Sequence, residues 1–257
     1  DNKIGFKIKT MNLNLMFPRN LFFLISLFIT TFLCACEKEK TTNTIPEDPE
    51  MNHPDWIKLI LTGQQRGITA IYGNYDDSLL VATQGDIYLT TNQGKGWRRV
   101  FSGSVGISGM VKHKDQLVAL SNFNDIASGP FLYSQDGGAT WSHQSKYLYL
   151  EQEPKLNRTQ VDVSADVSYK LEFESEGSDP VSNLPLPDQI YRIEKGRWEK
   201  VYIPRQARIN CIVKDQKGRL YVGAEGTRFE YTREGNTSIY PTSTDTAIVY
   251  ISRKPLR

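Results

Sequence analysis

A chain of 257 residues that is 39% hydrophobic, 11% aromatic and 23% charged has the apolar material for a sizeable core and is not wholly disordered. Three cysteines are too few for a disulfide scaffold. The net charge of +2 is no nucleic-acid footprint: positions 1–35 hold Lys3, Lys7, Lys9 and Arg19 against Asp1, which leaves the rest of the chain at −1.

The first element in chain order is an address. Met11 is the expected start, with positions 1–10 upstream of it. Arg19 precedes an apolar run over 21–33, interrupted by Ser26, Thr30 and Thr31. That run falls short of the about 20 apolar residues that cross a bilayer core. A cation followed by a short apolar run is the layout of a secretory signal, which enters a membrane without permanently spanning it.

The run closes on Leu33-Cys34-Ala35-Cys36. This ending resembles the lipobox of bacterial lipoproteins, with Cys34 where the family more often has Ser, Thr or Ala. The resemblance implies cleavage before Cys36, so that 1–35 is upstream sequence and signal peptide and Cys36 carries the lipid. An uncleaved membrane anchor is the alternative. Residues 36–54 follow as a tether: Glu37-Lys38-Glu39-Lys40, then a Thr-, Asn-, Pro- and Glu-rich stretch expected to stay solvated and extended. The charged cluster after Cys36 resembles the surface-export signals of some Gram-negative lipoproteins. The expected location is the outer membrane, on its periplasmic or its surface face.

Beyond the tether a repeat emerges. Trp56, Trp97, Trp141 and Trp198 stand 41, 44 and 57 residues apart, and Tyr240 falls 42 after the last. Tyr88, Tyr133, Tyr191 and Tyr231 precede the later four aromatics at a near-constant distance. Strand-like runs recur upstream: Ile68-Thr69-Ala70-Ile71-Tyr72, Ile107-Ser108-Gly109-Met110-Val111 and Ile209-Asn210-Cys211-Ile212-Val213, with Val161-Asp162-Val163 the most degraded. Second runs follow at Leu79-Leu80-Val81-Ala82, Gln116-Leu117-Val118-Ala119-Leu120 and Arg219-Leu220-Tyr221-Val222-Gly223. Short β-branched and aromatic runs bounded by Gly, Asp and Asn predict strands between tight turns, and no window shows a helical period.

Four short strands in each 40 to 50 residues is a blade period. The expected fold is therefore all-β: a small β-propeller of four-stranded blades, four or five in number, over 55–257. A β-sandwich is the alternative. Trp56-Ile57-Lys58-Leu59-Ile60-Leu61 reads as an outermost-type strand, and Ala247-Ile248-Val249-Tyr250-Ile251 as the first strand of a further blade; joining the two in one closing blade would remove exposed edges, though only two clear strands are supplied for it.

The strongest local pattern precedes Trp141. Ser134-Gln135-Asp136-Gly137-Gly138-Ala139-Thr140-Trp141 resembles the Asp-box, or BNR repeat, of sialidase-type propellers. A short carboxylate accepts backbone N–H groups inside such a turn, and glycine supplies positive φ. Thr90-Thr91-Asn92-Gln93-Gly94-Lys95-Gly96-Trp97 is a degenerate copy, and Ile193-Glu194-Lys195-Gly196-Arg197-Trp198 keeps only the Gly and the Trp. Ser134, Asp136, Gly138, Thr140 and Trp141, with Asn92, Gly94 and Trp97, are thus read as structural.

An Asp-box marks a fold and not a reaction. A sialidase-like glycoside hydrolase would add a Tyr/Phe-Arg-Ile-Pro segment and an arginine cluster for the substrate carboxylate. The nearest runs are Tyr191-Arg192-Ile193-Glu194 and Tyr202-Ile203-Pro204-Arg205, so the hydrolase is kept as the alternative. His53, His113 and His143 lack metal-ligand spacing, and there is no Gly-rich phosphate loop. Cys211, between Ile209 and Ile212, reads as a buried small hydrophobe. Glu172, Glu174 and Glu176 read as a solvated strand face, with a calcium cluster as the other option. No cofactor or metal is expected. The insertions at 122–129 and 177–188 are the expected contact loops for a glycan or an envelope protein. The expected function is an envelope-anchored binding or assembly scaffold that meets the membrane through its lipid and binds no nucleic acid.

Overall fold

The computed structural model describes residues 50–63, 67–121, 124–147, 153–173, 187–226, 230–231, 238–239 and 246–257. The chain divides into two units, Asp1–Pro46 and Glu47–Arg257, and all described residues belong to the second. Met11, Cys36 and the tether up to 49 lie outside the described residues, as do 122–123 and 177–186 of the two expected contact loops.

Among the described residues the secondary structure is all β, without a helix. After β1 (Trp56–Thr62) the first sheet is formed in sequence order by β2 (Ile68–Gly73), β3 (Leu79–Thr83), β4 (Asp86–Thr90) and β5 (Arg98–Ser102). The second sheet comprises β6 (Gly109–His113), β7 (Gln116–Leu120) and β9 (Pro130–Ser134), and a single bridge from Tyr133 to Ser142 extends it. Between β7 and β9 lies β8 (Ile126–Ala127), which pairs with β10 (Leu156–Asn157). The third sheet runs β11 (Gln160–Asp162), β12 (Val167–Glu172), β13 (Gln189–Glu194) and β14 (Arg197–Val201).

The fourth sheet departs from sequence order. It contains β15 (Ile209–Lys214), β16 (Leu220–Glu225), β19 (Thr246–Ser252) and then β1. A separate ladder, β17 (Glu230–Tyr231) with β18 (Ser238–Ile239), intervenes between β16 and β19 in the chain. The run at 247–251 is therefore not the first strand of a further blade. It is the third strand of a sheet that β1 completes, in register from Trp56 opposite Ser252 to Thr62 opposite Thr246. The physical reason is burial. Ala247 to Ile251 are buried on both faces, and β1 and β16 flank the strand on its two edges. Tyr231 lies in the small ladder opposite Ser238, and its expected partner Tyr240 lies outside the described residues.

Burial follows strand position. β3 and β7 are buried at every residue, whereas β14 is exposed over its first four. Leu80, Ala82 and Ile87 of the first sheet pack on Ile107, Met110 and Leu132 at the second. Ile68, Ile71 and Val81, on its other face, pack on Leu59, Tyr221 and Val249 of the fourth. Tyr169, Leu171 and Ile190 of the third pack on Ile212, Leu220 and Tyr250 of the fourth. The sheets thus share apolar seams in the order third, fourth, first, second. Among the described residues no hydrophobic cluster joins the second sheet to the third.

The repeat also shows in backbone detail. The ladders β2–β3 and β15–β16 shift register at the same place, between Ile68 and Ala70 and between Ile209 and Cys211. Each shift frees a polar residue from the pleat. At the first, Thr69 donates its hydroxyl to the Ile107 carbonyl at 2.6 Å and so ties the first sheet to the second.

The tether is fastened sooner than expected. Glu50, assigned from sequence to a solvated stretch, accepts the Tyr250 hydroxyl at 2.8 Å and pairs with Lys58 Nζ at 2.7 Å and Arg205 Nε at 2.6 Å. Burial opposes ionisation of Glu50, but the bonds from Lys58 and Tyr250 and the charges of Arg205 and Lys58 hold its carboxyl below the usual range.

Candidate binding surface

Two turns build the same device. In the second sheet, Ser134 donates its hydroxyl to Asp136 Oδ1 at 2.8 Å and accepts the Gly138 N–H at 2.8 Å. Asp136 then accepts the Thr140 N–H at 2.9 Å and the Thr140 hydroxyl at 2.6 Å. These Thr140 bonds hold the Asp136 carboxyl down at about 2, against a slight desolvation that acts the other way. In the first sheet, Thr90 donates to Asn92 Oδ1 at 2.9 Å, and the N–H groups of Gly94 and Gly96 bond Thr90 Oγ1 and Asn92 Oδ1 at 3.0 and 2.9 Å.

Both turns need two consecutive left-handed residues: Gly137 and Gly138 at φ 71° and 93°, Gln93 and Gly94 at 61° and 77°. Both also lock onto the neighbouring sheet. A Cβ at Gly138 would lie 2.3 Å from Leu80 Cδ1 of the first sheet, and one at Gly94 would lie 2.8 Å from Leu59 Cδ2 of the fourth. Trp141 donates its indole N–H to the Gly138 carbonyl at 3.0 Å, and Trp97 donates to the Ile60 carbonyl at 3.1 Å. Ser134, Asp136 and Thr140, like Thr90 and Asn92, bond within their own turns, while Trp97 reaches across to β1.

The third sheet is built differently. β13 and β14 meet through a two-residue turn, Lys195-Gly196, with φ of 48° and 80°, the I′ pattern of a tight hairpin. Two residues leave no room for the longer turn, so Trp198 falls within the ladder opposite Ile193 and not at the base of a turn. Reading it as a third copy of Trp97 and Trp141 is corrected on that ground.

Trp198 is 53% exposed and Tyr202, just beyond β14, is 75% exposed. The Tyr191 and Trp198 rings meet edge to face with centroids 5.6 Å apart, and Lys170 Nζ lies 5.5 Å from the Trp198 ring centre. The Tyr191–Trp198 pair therefore stands on one face of the β12, β13 and β14 ladder, with Lys170 beside it.

Tyr202 also lines a groove of about 600 Å³ between the third and fourth sheets, with Trp56, Tyr169, Arg192, Val201 and Leu256. Trp56 fixes its floor by donating to the Tyr202 carbonyl at 3.0 Å. Arg192 donates to Glu194 at 2.7 Å and to the Arg257 carbonyl at 3.0 Å. That hydrogen bond, and then the Arg192 charge, hold the Glu194 carboxyl below the usual range. Being adjacent on a strand, Tyr191 and Arg192 take opposite faces of the sheet. Among the described residues the groove holds two arginines, Arg192 and Arg257.

A second cavity of about 390 Å³ lies where the ends of β2, β6 and β15 converge, and it is lined in part by Asn74, Asp77 and Asp215. Asp215 is already engaged: it accepts Arg219 Nε at 2.9 Å and the Tyr221 hydroxyl at 2.9 Å. Burial first, then that carboxylate, pushes the Tyr221 phenol upward.

The remaining candidates are placed as follows. Cys211 is 1% exposed, and burial pushes its thiol up to about 12. His53 accepts the Asp55 N–H at 3.2 Å, His113 ends β6, and the His143 ring stands edge to face with Phe101. Glu172 pairs with Lys170 at 2.5 Å, while Glu174 and Glu176 lie outside the described residues. Among the described residues no three His, Cys, Asp or Glu side chains gather to hold a metal. The exposure of Trp198 and Tyr202 was missed in sequence because exposure is set by turn length and by which neighbouring sheet is present.

No protein-family model matches the chain, and no curated protein does. Similar solved structures include YCF48 bound to D1 peptide, at 13% identity and a TM-score of 0.30, over 68% of this chain and 52% of that one. Virginiamycin B lyase from Staphylococcus aureus matches at 12% identity and a TM-score of 0.26, over 74% and 62% of the two chains. The AfRom2 CNH domain matches at 13% and 0.24, over 71% and 58%. The chain spans about half the length of the first of these structures.

Proposed function

We propose that this chain is an envelope lipoprotein, anchored through Cys36, whose four sheets form a small Asp-box β-propeller that serves as a binding scaffold for a glycan or protein partner. The observation that carries the reading is a pair of exposed aromatics at β14: Trp198, edge to face with Tyr191 on one face of the third sheet, and Tyr202 just beyond the strand at a groove. Aromatic faces of this kind bind sugar rings or partner side chains at small entropic cost, because two χ angles fix each ring. Support for a structural Asp136 comes from its bonds to Ser134 and Thr140. The sialidase-like hydrolase is disfavoured by Arg192, which is engaged by Glu194 and faces away from Tyr191.

The full chain, solubilised in a non-ionic detergent, is applied to a glycan array beside its Trp198→Ala and Tyr202→Ala variants. Binding lost in both variants supports a glycan scaffold; silence on the array, with a cross-linked envelope protein released by the same substitutions, assigns a protein partner. Turnover of aryl sialosides that disappears in Arg192→Ala overturns the scaffold. Loss of palmitate labelling in Cys36→Ser tests the anchor separately.

A further inference from the structure

Buried cations in this fold are matched by carboxylates. Lys58 pairs with Glu50 at 2.7 Å, and Arg219 pairs with Asp215 at 2.8 Å and Asp76 at 3.1 Å. Arg158 breaks the pattern. It is 9% exposed and its Nε is buried without a hydrogen-bond partner. Among the described residues no carboxylate lies within ion-pair distance of its guanidinium.

The position is not a loose loop. Arg158 donates its N–H to the Asp125 carbonyl at 2.9 Å and accepts the Ile212 N–H at 2.8 Å, so its main chain is clamped between the β8 segment and the edge of β15. Asn157 Oδ1 accepts the N–H groups of Thr159 and Gln160 at 2.9 and 3.0 Å and fixes the turn that carries it. Nor is Cys211 the counter-charge. The nearby Arg158 charge favours a thiolate there, but burial outweighs it and keeps the thiol protonated. A guanidinium does not shed its proton, and burying one unpaired is costly, so a position this firmly built and this incompletely matched calls for an anion from outside.

We infer that Arg158 anchors an oxyanion site at the inner edge of the fourth sheet, which takes a single small carboxylate or phosphate group on its planar fork. Only a tenth of the residue reaches solvent, so the ligand inserts one charged group. The site is independent of the Trp198 platform and stands or falls without it.

The test is thermal unfolding of the full chain in non-ionic detergent, in chloride buffer titrated with inorganic phosphate or with acetate at constant ionic strength. The expected result is a saturable rise in Tm, roughly 3 °C at ten times the half-saturating concentration. A response to phosphate alone names a phosphate group, and a response to acetate names a carboxylate. Arg158→Met melts no lower than the parent in chloride and shows no rise. Arg158→Lys keeps the charge without the fork and responds with an affinity weakened about tenfold. No saturable rise in the parent, or an undiminished rise in Arg158→Met, overturns the inference. If Arg158→Met does not fold, calorimetric titration of the parent against Arg158→Lys decides, and equal affinities overturn it.

Discussion

The turn at 134–141 and the turn at Lys195-Gly196 each join the last strands of a sheet and each contain two left-handed residues, yet they have opposite consequences. The longer turn folds its serine, aspartate and threonine inward and sets Gly138 against Leu80 of the adjacent sheet. A Cβ at Gly196 would meet nothing within 4 Å. Where the longer turn exists, at the first and second sheets, a hydrophobic seam joins the sheet to the one before it. The third sheet lacks that turn, and no cluster among the described residues joins it to the second. One tryptophan per sheet is a lock in the first case and an open surface in the second.

Three experiments can break that comparison. The largest effect is expected for Gly138→Ala, which must adopt a left-handed φ of 93° and displace buried Leu80; about 3 kcal/mol of stability is lost, read by urea unfolding. Gly196→Ala meets only the backbone cost and loses about 1 kcal/mol. Equal losses would mean that the Gly138–Leu80 contact is not a lock.

Next in size is the tryptophan pair. Trp141→Ala removes a half-buried ring and its bond to Gly138, at a cost of about 2 kcal/mol, whereas Trp198→Ala stays within about 0.5 kcal/mol of the parent. A destabilisation by Trp198→Ala as large as that by Trp141→Ala would show that the third sheet is sealed after all.

The smallest effect is acid sensitivity. Asp136 titrates near 2 in the folded chain against 3.8 when free, so its stabilising share is complete above pH 3.8 and fades as pH falls toward 2. Asp136→Asn removes that acid-dependent share, and Asn92→Asp adds one to the first sheet. Chemical denaturation at pH 5 and pH 3 checks both, and an unchanged pH slope in Asp136→Asn would deny the carboxylate its place in the turn.

Much of the architecture was legible because it is local. Alternating short runs, Gly and Asn boundaries and the Ser-x-Asp pattern report strand and turn chemistry within ten residues of chain. The runs Ile209–Val213 and Arg219–Gly223 were readable as strands for the same reason, and they pair as β15 and β16. The partnership of β1 with β19 was legible only as an option, the joining of the N- and C-terminal strands in one blade, because the apolar run at 247–251 reads alike whether it begins a blade or fills the interior of one. The Glu50 cluster was hidden in a polar stretch, since its partners Lys58, Arg205 and Tyr250 come from three distant segments.

The amino-acid sequence by itself determined the β character, the repeat and the two turns that carry Asn92 and Asp136, since each depends on residues near one another along the chain. Only the tertiary structure decided that Trp198 is a surface while Trp141 is a lock, and that Arg158 is buried without a partner. Exposure and charge matching are properties of what lies across the fold, and no stretch of chain encodes its distant neighbours.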